Sequence, residues 1–94
     1  MTLLETTTKL NVELQGVKRA SCRKTYNLPF KLREGDHIKL NGQDVSNVEH
    51  IYVDLETEEI TAILKLILFE KYNKEAYKET INLLKNLGWT VKER

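Results

Sequence analysis

The chain has 94 residues, of which 40% are hydrophobic and 31% are charged. These proportions are typical of a soluble globular chain and exclude a long disordered one. A chain of this length buries roughly 60–65% of the surface that its unfolded form exposes, so we expect one domain, residues 1–94, with one core. The net charge of +1 excludes a strong global field as the determinant of partner choice.

The cysteine count and the apolar runs indicate the cellular compartment in which we expect the protein. Cys22 is the only cysteine, so no intramolecular disulfide forms, as is usual in reducing compartments. The N-terminal sequence MTLLETTTKL lacks the basic start and apolar centre of a signal peptide. The longest apolar run, residues 66–69, is far too short to span a bilayer. We therefore expect a cytoplasmic protein that does not engage a membrane.

The first third of the chain begins with a clear pattern and then loses it. Residues 1–7 are rich in threonine, and we expect them to be frayed. Apolar and polar side chains then alternate over residues 10–14, which predicts a half-buried strand. Its position near the end of the chain favours a place at the sheet edge. Residues 16–27 are polar and basic with few apolar anchors, which predicts a long loop or a ragged hairpin arm.

The stretch from Leu28 to Phe69 reads as a meander of antiparallel strands, so that residues 8–69 are mostly β. Asn41-Gly42 is its strongest hairpin signal, because a type I′ turn needs positive φ at both central residues. Residues 59–69 allow two interpretations. As a strand they place Ile63, Ile67 and Phe69 on one face, and as a helix they form an apolar i, i+3, i+4, i+7 stripe. Frequent branched residues favour the strand.

The chain ends with a predicted helix over residues 74–87 and a short strand over residues 89–92. Asn73 is a favourable N-cap, and Gly88 can take the left-handed conformation that follows many helices. Trp89 can then fold back over the helix end into the core.

Together these elements predict an α+β fold. The rhythm of turns and strands in GDHIKLNG and VEHIYVDLETEEITAIL resembles that of small SH3-like barrels. We expect a small antiparallel meander sheet or SH3-like partly open barrel of about five or six strands. One C-terminal helix packs on it, and a short strand follows. The resemblance concerns the fold alone and implies no functional residue.

The sequence contains no motif for catalysis, for a cofactor or for a metal. Cys22 and the two histidines, His37 and His50, show none of the spacings of metal sites or nucleophile–base pairs. The acids of residues 54–59 surround a predicted turn, where carboxylates are usually solvated, and no glycine-rich phosphate loop is present. We therefore predict no catalytic, cofactor or metal residues and no small-molecule site, and an enzyme is the least favoured class.

The charges are unevenly distributed. Residues 18–33 carry six basic residues and no acid, whereas residues 49–79 carry eight acids and four lysines. Cations can follow a phosphate backbone while aromatic rings stack on bases. The alternative is a solvated surface, or mutual neutralisation of the two segments. The candidate contacts to an anion or a nucleic acid are Lys18, Arg19, Arg23, Lys24, Tyr26, Lys31 and Arg33.

The leading hypothesis is a non-enzymatic binding or assembly domain that takes a protein partner or a second copy of itself. An edge strand at residues 10–14 would offer an unpaired backbone to a partner strand. Ile63, Ile67 and Phe69 would add an apolar patch if no element covered them. Nucleic-acid binding through residues 18–33 is the alternative.

Overall fold

The computed structural model describes residues 2–94, and its elements define an α+β fold. Strands predominate, and the helix follows the sixth of them along the chain. In chain order the elements are β1 (Leu4–Leu14), β2 (Lys18–Leu28), β3 (His37–Leu40), β4 (Gln43–Asp54), β5 (Glu59–Leu64), β6 (Ile67–Phe69), α1 (Lys74–Asn86) and β7 (Thr90–Glu93).

The strands form one mixed, open sheet in the order β3-β4-β5-β1-β2-β7, with β6 also paired to β1. β1 runs antiparallel to β2 but parallel to β5 and β6. The predicted antiparallel meander, or SH3-like barrel, of five or six strands is therefore wrong in strand count and direction, although the α+β class is confirmed. The reason is the path of the chain. Residues 29–36 lead from β2 to β3 at the far edge of the sheet, so the β4–β5 hairpin returns to pair with β1.

β1 overturns two expectations about the start of the chain, and β2 decides between two predicted alternatives. β1 begins at Leu4 and pairs with β2 along its whole length, so residues 4–7 are not frayed, while Met1 lies outside the described residues. β1 also lies in the middle of the sheet, not at its edge. Residues 18–28 form the second arm of a hairpin with β1, which is one of the two predicted alternatives, but the arm is a regular strand and not a ragged one. Their apolar anchors, Ala20 and Cys22, are small because bulkier side chains from other elements cover them.

The core lies between one face of the sheet and α1, which packs across β1, β6 and β7. Alternate residues of β1 (Leu10, Val12 and Leu14) point into this core, opposite the helix residues Tyr77, Ile81 and Leu84. Segment 29–36 also contributes to this face, since its residue Leu32 packs against the same cluster. We call this side of the sheet the covered face.

The C-terminus of α1 ends at a left-handed glycine, as the sequence predicts. Gly88 has a φ of 87°, its N–H donates to the Lys85 carbonyl at 3.1 Å, and the Trp89 N–H donates to the Leu84 carbonyl at 2.9 Å. This is a Schellman motif, which turns Trp89 into the core. The helix spans Lys74–Asn86, one residue less than predicted, and the Asn73 side chain makes no capping hydrogen bond.

Residues 59–69 are strand, as favoured, but the strand is interrupted at residues 65–66. The interruption shifts the alternation by one residue. Ile67 and Phe69 therefore pair with Val12 and Leu14 on the covered face, while Ile63 remains on the opposite one. The expected patch of Ile63, Ile67 and Phe69 does not form. The hairpin prediction is confirmed, because Asn41 and Gly42 have φ values of 52° and 80°.

Candidate functional site

Within residues 2–94, no element packs on the side of the sheet away from α1, and we call this side the uncovered face. Strand registers place its residues in two rows that run across the sheet from β4 to β2 or β7. The first row contains His50, Ile63, Lys9, Arg23 and Thr90. The second row contains Tyr52, Thr61, Thr7 and Thr25. Because registered partners in neighbouring strands project to the same side, each row is a continuous band of side chains.

Two adjoining depressions mark the middle of this face. The larger, of about 880 Å³, lies between the turn after β4 and the start of β7, with Thr57 at one side and Thr90 at the other. The smaller, of about 330 Å³, is lined by Asn11, Ser21 and Lys92 among others. Lys9 and Arg23 line both depressions. The two cations are therefore at the centre of the concave surface.

In the described residues, no ion pair engages the cations at this centre. Lys9 and Arg23 are direct cross-strand partners, and Lys92 lies opposite Ser21, two residues from Arg23 along β2. Among residues 2–94, the ion pairs within 4.0 Å are Lys18–Glu93 and His50–Glu49, so none involves these three cations. Like charges that face each other across a strand pair are destabilising. The fold therefore maintains a positive centre at some cost in stability.

The acids of the uncovered face lie toward its ends, but Glu5, Glu58 and Glu59 line the same larger depression as Lys9 and Arg23. By strand alternation and register, Glu5, Asp54 and Glu59 lie where β1, β4 and β5 reach one end of the sheet, and Glu13 lies toward the other end. Lys9, Arg23 and Lys92 thus form a positive group beside one acidic end of the sheet, whereas Glu13 at the other end lies opposite Arg19. An anionic ligand would be directed to the two rows around Lys9 and Arg23.

The β4 end of the rows carries exposed aromatic surface. The Tyr52 side chain is 58% exposed, and its ring centroid lies 6.1 Å from that of His50 at a tilt of 48°. Ile63 lies between His50 and Lys9 in the first row. The two depressions are otherwise lined by hydroxyl and amide groups, including those of Thr7, Thr25 and Asn11, which donate and accept hydrogen bonds, and by the carboxylates of Glu5, Glu58 and Glu59.

The structure divides the predicted basic site among three places. Because β2 is a strand, its successive side chains alternate between faces, so that Arg19 and Arg23 lie on the uncovered face and Lys18, Lys24 and Tyr26 on the other. Lys31 and Arg33 lie in segment 29–36, outside any strand. The seven residues therefore do not form one surface, and only Arg23 reaches the centre of the candidate site.

Lys24 and Tyr26 have structural contacts. The Lys24 Nζ donates a hydrogen bond to the Leu87 carbonyl at the C-terminus of α1, and it lies 4.9 Å from the centroid of the Tyr26 ring. Tyr26 in turn packs edge-on against Trp89, with centroids 6.2 Å apart. This arrangement connects β2 to the helix end and engages the Lys24 ammonium there, although Lys24 also lines the larger depression.

Local sequence patterns do not single out four residues of the candidate site, which are Lys9, Lys92, His50 and Tyr52. The polar side of the β1 alternation signals that Lys9 points away from the core. Its proximity to Ile63 depends on the parallel pairing of β1 with β5, which no local pattern encodes.

A cysteine–histidine nucleophile is contradicted by the geometry. Cys22 is buried on the covered face at 3% exposure, whereas His50 lies on the uncovered face. Burial, with a smaller contribution from the Glu93 carboxylate, raises the pKa of the Cys22 thiol to about 11, which is the reverse of what activation requires. Within residues 2–94, no three His, Cys, Asp or Glu side chains converge as a metal site would require.

Comparison with protein-family models, with curated proteins and with solved structures finds no match to this chain. The part of the chain that the structure describes holds no helix with the length and apolar character needed to cross a membrane. The candidate site is therefore defined by the geometry and charge of the uncovered face.

Proposed function

We propose that the protein is a non-enzymatic binding domain and that its uncovered face binds single-stranded nucleic acid. The observation that carries the proposal is the facing pair of cations, Lys9 and Arg23, without a carboxylate within 4.0 Å in residues 2–94. Phosphate groups bound between them would relieve their mutual repulsion and release counterions from the nucleic acid. Lys92 extends the same positive centre toward the edge of the sheet.

The aromatic end of the rows supplies the second requirement of such a site. Proteins that bind single strands combine a positive groove with rings on which bases stack, and each stacked base contributes about 1–3 kcal/mol. Tyr52 presents an exposed ring beside the first row. A base reaches this ring only when it is unpaired, so the arrangement favours a single strand over a duplex.

The dimensions of the face agree with this orientation. The first row crosses five strands from β4 to β7, which at about 4.8 Å between neighbours gives roughly 19 Å. The backbone of the ligand would follow this row over Lys9 and Arg23. The hydroxyl groups of the second row would then face the sugars and base edges.

The test is the affinity for a fluorescent mixed-sequence oligonucleotide, measured by anisotropy at several salt concentrations. The double variant Lys9→Met, Arg23→Met removes two phosphate contacts while keeping most of the side-chain volume. The slope of log affinity against log salt should then flatten by about 1.4, since each contact to a single strand contributes about 0.7. Lys74→Met, Lys78→Met on exposed helix positions is the matched control with the same change in net charge.

Tyr52→Leu separates stacking from charge. We expect it to weaken binding by about fivefold or more without changing the salt slope, because it removes a stacking ring and no cation. The proposal is refuted if the Lys9/Arg23 double variant binds as the unmodified protein does. It is also refuted if the helix control loses as much affinity, since binding would then reflect net charge alone.

A further inference from the structure

The outer edge of β4 is unpaired over residues 49–54. The first part of β4 pairs with β3, and the Val48 backbone bonds to Gly35 and Asp36 just before β3, both at 2.8 Å. From Val48 to Asp54 the strand pairs with β5 on its other side. Among residues 2–94, no backbone group bonds to the outer side of β4 beyond Val48. A sheet edge in this state is a template for another strand.

The direction of the backbone groups at this edge follows from the neighbouring ladders. The Gln15 N–H donates to the Phe69 carbonyl, so odd-numbered residues of β1 direct their backbone groups toward β5 and β6. In the parallel register, the backbone groups of Thr7 then bond to those of Ile60 and Ala62. Because backbone groups alternate in direction along a strand, those of Thr61 and Ile63 point the other way, toward β4. Their partners in β4 are Tyr52 and His50. The N–H and C=O groups of Ile51 and Val53 therefore point outward.

We propose that two copies of the chain pair through this edge as antiparallel strands, with Tyr52 opposite Tyr52 of the second copy. This register sets Ile51 opposite the second copy's Val53, and Val53 opposite the second copy's Ile51. Both residues with outward backbone groups therefore form hydrogen-bonded pairs. His50 falls opposite the second copy's Asp54, where an imidazole N–H can donate to the carboxylate. The inference does not depend on nucleic-acid binding.

The side chains are complementary in this register on both sides of the sheet. On the covered side, Ile51 meets Val53, which is 50% exposed in one copy. On the uncovered side, the exposed Tyr52 rings meet at the two-fold axis, where cross-strand aromatic pairs are favourable. The alternative register centred on Ile51 would set Val53 against Glu49, and the one centred on Val53 would set Tyr52 against Asp54.

The protection of this edge against such pairing is confined to its two ends. Natural edge strands are guarded by lysine, other charges, proline or β-bulges. Here a β-bulge lies between Val48 and His50, and Glu49 and Asp54 flank the edge, but residues 51–53 (IYV) carry no charge and no proline. Antiparallel pairing has its two-fold axis perpendicular to the sheet, so both uncovered faces would lie on the same side. The assembly hypothesis drawn from the sequence therefore applies to β4 in place of residues 10–14.

The first test is sedimentation velocity over protein concentrations from roughly 1 µM to 1 mM, the range in which modest interfaces are populated. We expect the mass to rise from 11.0 kDa toward twice that value. Val53→Lys should raise the dimer dissociation constant by about tenfold or more, equivalent to about 1.4 kcal/mol. Val17→Lys is the matched control, since Val17 is 53% exposed against 50% for Val53 and lies in the β1–β2 turn.

The second test fixes the register and does not depend on the stability of a lysine variant. Tyr52→Cys places two thiols opposite each other as a non-hydrogen-bonded pair, about 4.5 Å apart at Cα, which a disulfide can span. Mild oxidation should then link the copies efficiently, whereas Val53→Cys should not link them. Cys22, at 3% exposure, does not compete. A monomer throughout the concentration range, a dimer unaffected by Val53→Lys, or equal linking of both cysteine variants would each overturn the proposal.

Discussion

Replacing Lys24 with methionine should destabilise the protein without weakening its binding to oligonucleotides. The Lys24 Nζ donates to the Leu87 carbonyl at the end of α1 and lies 4.9 Å from the centroid of the Tyr26 ring. Methionine keeps the apolar contacts of the stem but removes the donor and the charge. The Leu87 carbonyl would then lose its side-chain partner.

Three overlapping contributions set the size of the effect. A hydrogen bond to a charged group contributes about 1.5–3 kcal/mol, a cation at a helix C-terminus about 0.3–1 kcal/mol, and an exposed cation–π contact about 0.5–1 kcal/mol. They share one ammonium group that is only partly buried, so they do not add. We expect a loss of about 1–2 kcal/mol in the free energy of unfolding, or a fall of roughly 5–15 °C in Tm.

The assay is urea unfolding, monitored by the fluorescence of Trp89. Oligonucleotide binding is measured by anisotropy on the same preparations. Arg23→Met is the control, because Arg23 is the next residue along β2 but lies on the uncovered face. It should change stability by about 0.5 kcal/mol or less and weaken binding. If Lys24→Met kept full stability and lost affinity as Arg23→Met does, the assignment of the two faces would be wrong.

Two further predictions concern the core and the helix end. Gly88→Ala should lower the free energy of unfolding by about 1–2 kcal/mol, because Gly88 has a φ of 87°, where a Cβ is strained. Asn86→Ala is the control. Equal stability of the two variants in thermal unfolding would contradict this prediction. The pKa of Cys22, raised from 9.0 to about 11, means that the native thiol keeps its proton where the unfolded one releases it. The contribution of the protonated Cys22 thiol to the free energy of unfolding is therefore complete below about pH 9, and it falls by about 2–3 kcal/mol as the pH rises toward 11. Unfolding of the protein and of Cys22→Ala across this range should show a difference in stability that shrinks with pH, and a constant difference would refute the assignment.

Local patterns in the sequence were sufficient where the structure depends on neighbouring residues. The helix end is set by Gly88 and by the apolar spacing before it, and the hairpin at Asn41-Gly42 is set by two residues that tolerate positive φ. The strand nature of residues 59–69 was also readable from its branched side chains. These features depend on backbone conformation within a few residues, which the sequence encodes directly.

Strand order was not readable, because it depends on contacts between distant segments. β1 was placed at an edge from its position near the start of the chain, yet β5 and β6 return to it in parallel. A loop and a hairpin arm are both compatible with the sequence of β2, because Ala20 and Cys22 give a weak apolar signal. The bulk that covers them comes from other parts of the chain, including α1 and Trp89.

The composition of the candidate site also depends on contacts between distant segments. As a loop, residues 18–33 would carry their cations on one surface, but as a strand with a period of two they divide between faces. The cations that do meet, Lys9, Arg23 and Lys92, come from the beginning, the first third and the end of the chain. Only the pairing of β1, β2 and β7 brings them together.

An amide-resolved NMR titration with short mixed-sequence single-stranded DNA and RNA, at two salt concentrations, tests the central claim most directly. We predict salt-sensitive shifts at the amides of Lys9, Arg23 and Thr90, with smaller ones at Tyr52 and Thr61. The amides of segment 29–36 and of the exposed side of α1 should remain unchanged. Shifts confined to residues 29–36, or no shifts at either salt concentration, would contradict binding on the uncovered face.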